Sequence, residues 1–109
     1  MNATNDKIAE TVGKICNRFD EIFSSHTEDH NKVVSTKIDR IFTEGDFQVD
    51  FECFNNISPY QLGILKMLFL ANGYRVANCQ HDRWTARIDF VEVGVDLKAL
   101  SPSLEIFKV

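Results

Sequence analysis

The sequence lacks an apolar run long enough to cross a bilayer. Its longest run, Ile64 to Ala71, is interrupted by Lys66, whereas a membrane-spanning helix needs about 20 apolar residues. The first residues, MNATNDK, lead into no apolar stretch, so a secretory signal is not expected. These absences predict a protein without a membrane partner that works in a cytoplasm or inside a particle.

Cysteine is scarce and poorly placed for cross-linking. Cys16, Cys53 and Cys79 are odd in number, widely spaced and without a CxxC pair. This pattern excludes a disulfide framework and predicts free thiols in a reducing compartment. Cys79 lies close in sequence to His81, which raises the idea of a catalytic thiol. The alternative is that all three cysteines act as small hydrophobic residues.

An excess of positive charge is also missing. Twelve Lys and Arg residues face sixteen Asp and Glu residues, for a net charge of -4. Each of the two segments 1–45 and 46–109 contains six basic and eight acidic side chains, so neither is a basic arm. Duplex nucleic acid is therefore excluded as an expected partner.

No common catalytic or cofactor motif is present. The sequence contains no GxGxxG, GxxxxGK[ST], GxSxG or HExxH pattern, so we expect no enzyme activity and no cofactor. His26 and His30 have the i, i+4 spacing of two zinc ligands on one helical face, but further ligands are not evident. We interpret them as exposed histidines and expect no metal site.

Residues 5–23 predict a helix with a narrow apolar seam. The seam residues are spaced alternately by four and three positions, which is the a/d pattern of a coiled coil: Ile8, Val12, Ile15, Phe19 and Ile22. Such a strip needs a partner, which is either the rest of the chain or the same helix of another copy. We take homo-oligomerisation through these five residues as the working prediction.

The next apolar residues resume helical spacing after a polar stretch at residues 24–32. They are Val34, Ile38, Ile41 and Phe42, and Gly45 is expected to end the segment. Residues 1–45 are therefore predicted to form an N-terminal helical arm that mediates oligomerisation. The spacing leaves open whether the arm is one long helix or a helical hairpin.

Residues 46–109 predict a small α+β domain. Alternating apolar and polar residues indicate strands, and Ser58-Pro59 indicates the start of a helix. The expected order is a strand at 46–54, a helix at 59–72, strands at 74–80 and 83–91 with a turn at His81-Asp82, and a docked tail from Glu92 onward, which is a candidate edge strand. We therefore expect a three-stranded, mostly antiparallel sheet covered by one helix.

Two groups of side chains are candidate sites. Asp46, Asp50 and Glu52 share one strand face with Asp89, either as a solvated surface or as carboxylates for acid–base or cation chemistry. The second group combines guanidinium groups with aromatic rings, which suit phosphates and bases. Its candidate ligand-binding residues are Tyr74, Arg75, His81, Arg83, Trp84 and Arg87.

The order of glycines and core residues over about residues 36–90 resembles that of small accessory proteins of tailed bacteriophages. The residues that carry the resemblance are Thr-Glu-Gly45, Asp-Phe-Gln-Val-Asp-Phe51, Asn-Gly-Tyr-Arg-Val76, Trp84 and Ile88. The resemblance implies a viral origin and a setting in the host cytoplasm or the virion. It carries no catalytic motif, so it transfers no functional residue.

Several functions fit these observations. The first is a non-catalytic, oligomeric phage-type protein that inhibits a host factor, plausibly of antiviral defence, by protein–protein interaction. The second is a sponge that sequesters small or cyclic nucleotide immune signals between subunits. The third is a structural or assembly protein of the virion, and a small hydrolase ranks last.

Overall fold

Two helices and four strands make up the described part of the chain. The computed structural model describes residues 2–24, 28, 30–40, 46–92 and 106–109. The elements are α1 (Asn2–Phe23), β1 (Val33–Arg40), β2 (Asp46–Cys53), α2 (Pro59–Ala71), β3 (Tyr74–Asp82) and β4 (Thr85–Glu92). The predicted α+β class is confirmed, but the sheet has four strands instead of three. No helix in these ranges is long and apolar enough to cross a membrane.

The four strands form one antiparallel sheet in the order β1-β2-β4-β3. Its inner face packs against both helices, whereas its outer face carries no described element. β1 pairs with β2 along most of its length, so the domain boundary predicted at residue 45 falls between two paired strands.

Residues 33–40 form the strand β1, and the helix predicted there is wrong. The pairing with β2 is irregular between Val33 and Ser35, so Val34 is an extra residue in a bulge. The bulge interrupts the period of two that identifies a strand, because the inward-facing residues Val33 and Ile38 end up an odd number of positions apart. Ile41, Phe42 and Gly45 lie outside the described residues.

Helix α1 confirms the predicted helix, but its seam packs within its own chain. Ile8, Val12, Ile15 and Phe19 are at most 2% exposed, and Ile22 is half-buried against the same core. The seam is hidden because a fourth strand and α2 together form a large enough apolar surface to cover it. The assignment of these five residues to an interface between copies is therefore corrected. Self-association stays a prediction and needs another surface.

Helix α2 is the central element of the core. Ser58 caps its start: the Ser58 hydroxyl accepts from the Gln61 backbone N–H at 3.1 Å, and the Gln61 side chain accepts from the Ser58 N–H at 3.2 Å. Phe69, fully buried, has its ring centroid 4.9 Å from Phe90 and 6.2 Å from Phe51. The helix ends before Gly73, whose φ of 93° favours glycine.

The turn between β3 and β4 lies two residues later than predicted. His81 and Asp82 belong to β3, and Arg83-Trp84 form the turn. Arg83 adopts a φ of 51° there, a left-handed conformation that costs a non-glycine residue roughly 1 kcal/mol. Trp84 is consequently 43% exposed.

The connection between α1 and β1 is anchored by polar contacts. The Asp20 carboxylate accepts from the Val33 backbone N–H at 2.8 Å, and burial raises the pKa of this carboxyl group. Asn31, completely buried, holds the chain against the start of α2. Its amide nitrogen donates to the Gln61 side chain at 3.0 Å and to the Asn55 carbonyl at 3.1 Å.

The end of the chain contacts the C-terminal end of α2. The Asn72 side chain donates to the Phe107 carbonyl at 3.1 Å and accepts from the Val109 backbone N–H at 3.0 Å. Residues 106–107 form a short 3₁₀ turn. Most of the tail predicted as a candidate edge strand, residues 93–105, lies outside the described part.

Candidate binding surface

The outer face of the sheet presents rows of polar side chains. In the central row, Lys37, Asp50, Arg87 and Gln80 lie opposite one another on successive strands. An adjacent row contains Ser35, Glu52, Thr85 and Asp82 in the same strand order. The carboxylates predicted on one strand face, Asp50 and Glu52, do share this face with Asp89. The side chain of Asp46 is outside the described part.

An ion pair lies at the centre of this face. Arg87 Nε is 2.7 Å from Asp50 Oδ1, and Arg87 Nη2 is 3.3 Å from Asp50 Oδ2. The two-pronged hydrogen bond raises the pKa of the Arg87 guanidinium. Two further hydrogen bonds join strands: Gln48 donates to Asp89 at 2.9 Å and Ser35 to Glu52 at 3.2 Å.

The outer face forms an open depression of about 550 Å³ at this position. This volume is within the usual range for ligand sites. The lining residues come from all four strands: Ser35, Thr36 and Lys37 from β1, Asp50, Phe51 and Glu52 from β2, Gln80, His81 and Asp82 from β3, and Thr85, Ala86 and Arg87 from β4.

The predicted ligand-binding residues are only partly brought together. His81 and Arg87 line the depression. Arg83 and Trp84 form the neighbouring turn, with the Arg83 guanidinium carbon 5.8 Å from the Trp84 ring centroid. Arg75 is exposed at the other end of β3. Tyr74 is buried in the core beside Phe90.

The β1 contribution to the depression was missed because residues 33–40 were assigned to a helix. The alternation of Ser35, Lys37 and Asp39 with Thr36 and Ile38 is the signal that identifies the strand once the bulge is set aside. As a fourth strand, β1 adds the Lys37 cation and the Ser35 hydroxyl to the outer face, which the predicted three-stranded sheet does not have.

The structure describes only part of the histidine arrangement. His30 lies beside the Phe54 ring at 6.1 Å between centroids, and His81 is on β3. His26 lies outside the described residues. Within residues 2–24, 28, 30–40, 46–92 and 106–109, no group of three or more His, Cys, Asp or Glu side chains could hold a metal ion.

The three thiols lie on the inner side of the sheet. Burial raises the pKa of Cys16 and of Cys53 to about 12. Burial also raises the pKa of Cys79, which is half-buried, while Lys66 opposes the shift. A nucleophilic cysteine needs a lowered pKa, so the environment of Cys79 does not activate it.

We expect the thiols to react in a fixed order. At pH 8 a thiol of pKa near 12 is about one part in ten thousand thiolate. Iodoacetamide should therefore label Cys79 first in the folded protein, and Cys16 and Cys53 only after denaturation, as peptide mass spectrometry would show. Equal labelling of all three without denaturant would contradict the buried positions.

Comparison with known proteins gives no relative for this chain. No protein-family model, no curated protein and no solved structure matches it. The resemblance to phage accessory proteins stays a prediction. The function is therefore inferred from the chemistry of the outer face of the sheet.

Proposed function

We propose that the protein is a non-catalytic binding protein that engages a basic region of a host protein through the outer face of its sheet. The supporting observation is the difference between the two sheet faces. Both helices cover the inner face, whereas the outer face presents a polar depression assembled from every strand. A rigid sheet surface of this kind holds side chains in place for recognition.

The charges of the depression favour a cationic partner. Its lining contains three carboxylates, Asp50, Glu52 and Asp82, and two permanent cations, Lys37 and Arg87. Arg87 is already engaged by Asp50, as the short ion pair shows. Glu52 and Asp82 thus add negative charge at one end, in a protein whose net charge is -4, and complementary charge steers association.

The same charges disfavour the nucleotide sponge. A phosphate group would approach the carboxylates of the depression, and the guanidinium best placed to receive it is paired. Of the six residues predicted to bind a nucleotide, only His81 and Arg87 line the depression. The proposed binding of a basic protein region uses the carboxylates directly. A virion role stays a prediction that this surface neither requires nor opposes.

The test is a direct titration with a defined probe. A fluorescein-labelled arginine-rich peptide should bind the protein, with weaker binding at higher salt, and a glutamate-rich peptide of the same length should not. The double variant Glu52→Gln, Asp82→Asn should weaken binding by between about twofold and thirtyfold in fluorescence anisotropy, because each removed surface charge contributes roughly 0.2–1 kcal/mol.

The matched control makes the same change in net charge elsewhere. The double variant Asp6→Asn, Glu10→Gln alters exposed residues of α1 and should bind the peptide almost as well as the wild type. Equal losses in both double variants would contradict a site on the sheet. A thermal shift with cyclic nucleotides, without peptide binding, would overturn the proposal in favour of the sponge.

A further inference from the structure

The edge of the sheet formed by β1 is a candidate interface. The strand order places β1 and β3 at the two edges. An edge strand directs alternate backbone N–H and C=O groups away from the sheet, where another strand can pair with them. Among the residues that the structure describes, no strand occupies the outer side of β1.

The two edges differ in regularity. The bulge of β1 lies at its beginning, between Val33 and Ser35, and the pairing with β2 is regular from Ser35 to the end of the strand. The irregularity of β3 lies within the strand, between Val76 and Asn78. Because a bulge disrupts the hydrogen-bond ladder, β1 offers the longer regular edge.

The inner side of β1 is also incompletely covered. Val49 and Phe51 of β2 are at most 1% exposed beneath the helices. Their neighbours on β1 are Ile38, which is only half-buried, and Thr36, which is exposed. The helical layer therefore thins toward this edge and leaves an apolar side chain that an added strand would cover.

The charges of β1 are complementary to those of a second copy of the same strand. Lys37 and Asp39 both belong to the outer face. If two copies of β1 pair antiparallel with Ile38 opposite Ile38, each Lys37 lies opposite the Asp39 of the other copy. Registers centred on Lys37 or on Asp39 place like charges opposite each other, which is unfavourable. We propose that β1 pairs in the Ile38-centred register with β1 of a second copy of this chain.

The pairing has a consequence for the outer face. The two-fold axis is perpendicular to the sheet, so both helical layers lie on one side of a continuous eight-stranded sheet. The two depressions then share the opposite side. This dimer does not depend on the proposed function, since it rests on the strand edge and not on the ligand.

A charge exchange tests the pairing. Lys37→Asp or Asp39→Lys turns two attractive pairs into two repulsive ones and should raise the dimer dissociation constant about tenfold or more. The double variant Lys37→Asp, Asp39→Lys should restore the dimer. Asp39→Lys is the cleaner single change because its partner within the chain is the neutral Gln48. Native mass spectrometry and light scattering give the mass, and circular dichroism confirms folding.

A control and a second measurement separate the interface from other effects. Lys66→Asp, on the exposed side of α2, should keep the dimer. In a Cys79→Ser background, Ile38→Cys should form a disulfide between copies when oxygen and a copper catalyst oxidise the two thiols, because opposite Cβ atoms lie about 5 Å apart. Ser35→Cys should not form this bond.

The proposal is overturned by any of three results. These are a wild-type protein that is monomeric up to millimolar concentration, single charge variants that keep the dimer, or Ser35→Cys cross-linking as fast as Ile38→Cys. The Glu52→Gln, Asp82→Asn variant can lose peptide binding while the mass of the dimer stays unchanged. That result tests the binding function of the outer face and leaves the β1 pairing unaffected.

Discussion

Replacing Asn31 by Asp is expected to lower the free energy of unfolding by about 3–5 kcal/mol at neutral pH, a value typical of an uncompensated buried charge. Asn31 is 0% exposed. Its side-chain nitrogen donates to the Asn55 and Asn56 carbonyls at 3.1 and 3.4 Å and to Gln61 Oε1 at 3.0 Å. A carboxylate oxygen in that position would face three acceptors and donate to none.

The amide oxygen of Asn31 is also bonded, so the site uses both the donor and the acceptor of the amide. Asn31 Oδ1 accepts from the backbone N–H groups of Lys32 and Asn55, both at 2.9 Å. Asn31 therefore joins the segment before β1 to the turn before α2, and Gln61 Oε1 in turn accepts from the Ser58 N–H in the capping box. The substitution disturbs the α2 cap as well as the turn.

Chemical denaturation at several pH values checks this expectation. The introduced carboxyl group should have a raised pKa in the folded state, so the loss of stability should be greatest above that pKa and shrink as the pH falls through it. Asn17→Asp, on the exposed surface of α1, is the control and should change stability by less than about 0.5 kcal/mol. A pH-independent difference between the variants would contradict the buried network.

Sequence periodicity predicted the elements whose spacing follows one regular pattern. The seam of α1, the alternation of β2 and the Ser58-Pro59 start of α2 each agree with the structure, because local propensity and burial favour the same conformation there. Val34 shows the limit: the bulge is a property of the β1–β2 pairing, which a single strand does not reveal, and the spacing of Val34 and Ile38 happens to match a helix.

The buried polar network was not predictable from the local sequence. Asn31 stands in a polar stretch that looks solvated, and its partners Asn55, Asn56 and Gln61 lie 24 to 30 positions further along the chain. Hydrogen bonds of this separation depend on the tertiary fold and leave no periodic signal. The same holds for the turn at Arg83, whose position follows from the register of β3 with β4.

The candidate site was predicted in part for the same reason. Asp50 and Glu52 were assigned to the polar face of their strand by alternation alone, and the structure places them on one surface with Arg87. Lys37 and Ser35 were not predicted to belong to this surface, because residues 33–40 were assigned to a helix and the structure shows them as a strand paired with β2. A surface built from four strands can be predicted from the sequence only where each of the four strands is itself recognised.

Replacing Ile15 by Asp is expected to abolish the native fold, with a loss of roughly 5 kcal/mol or more, comparable with the whole stability of a domain of this size. Ile15 is 0% exposed in the core that α1 shares with the sheet and α2. The variant loses a buried aliphatic side chain and gains a carboxylate without a partner. Ala9→Asp, at an exposed position of α1, should remain folded.

The outcome distinguishes the two surfaces considered for self-association. If α1 used its seam between copies, Ile15→Asp would yield a folded monomer with native circular dichroism. Because the seam packs within the chain, we expect instead the loss of the far-ultraviolet helix signal and of cooperative thermal unfolding. The variant Asp39→Lys, at the edge of the sheet, should show the opposite result, since it alters the mass of the assembly and leaves each protomer folded.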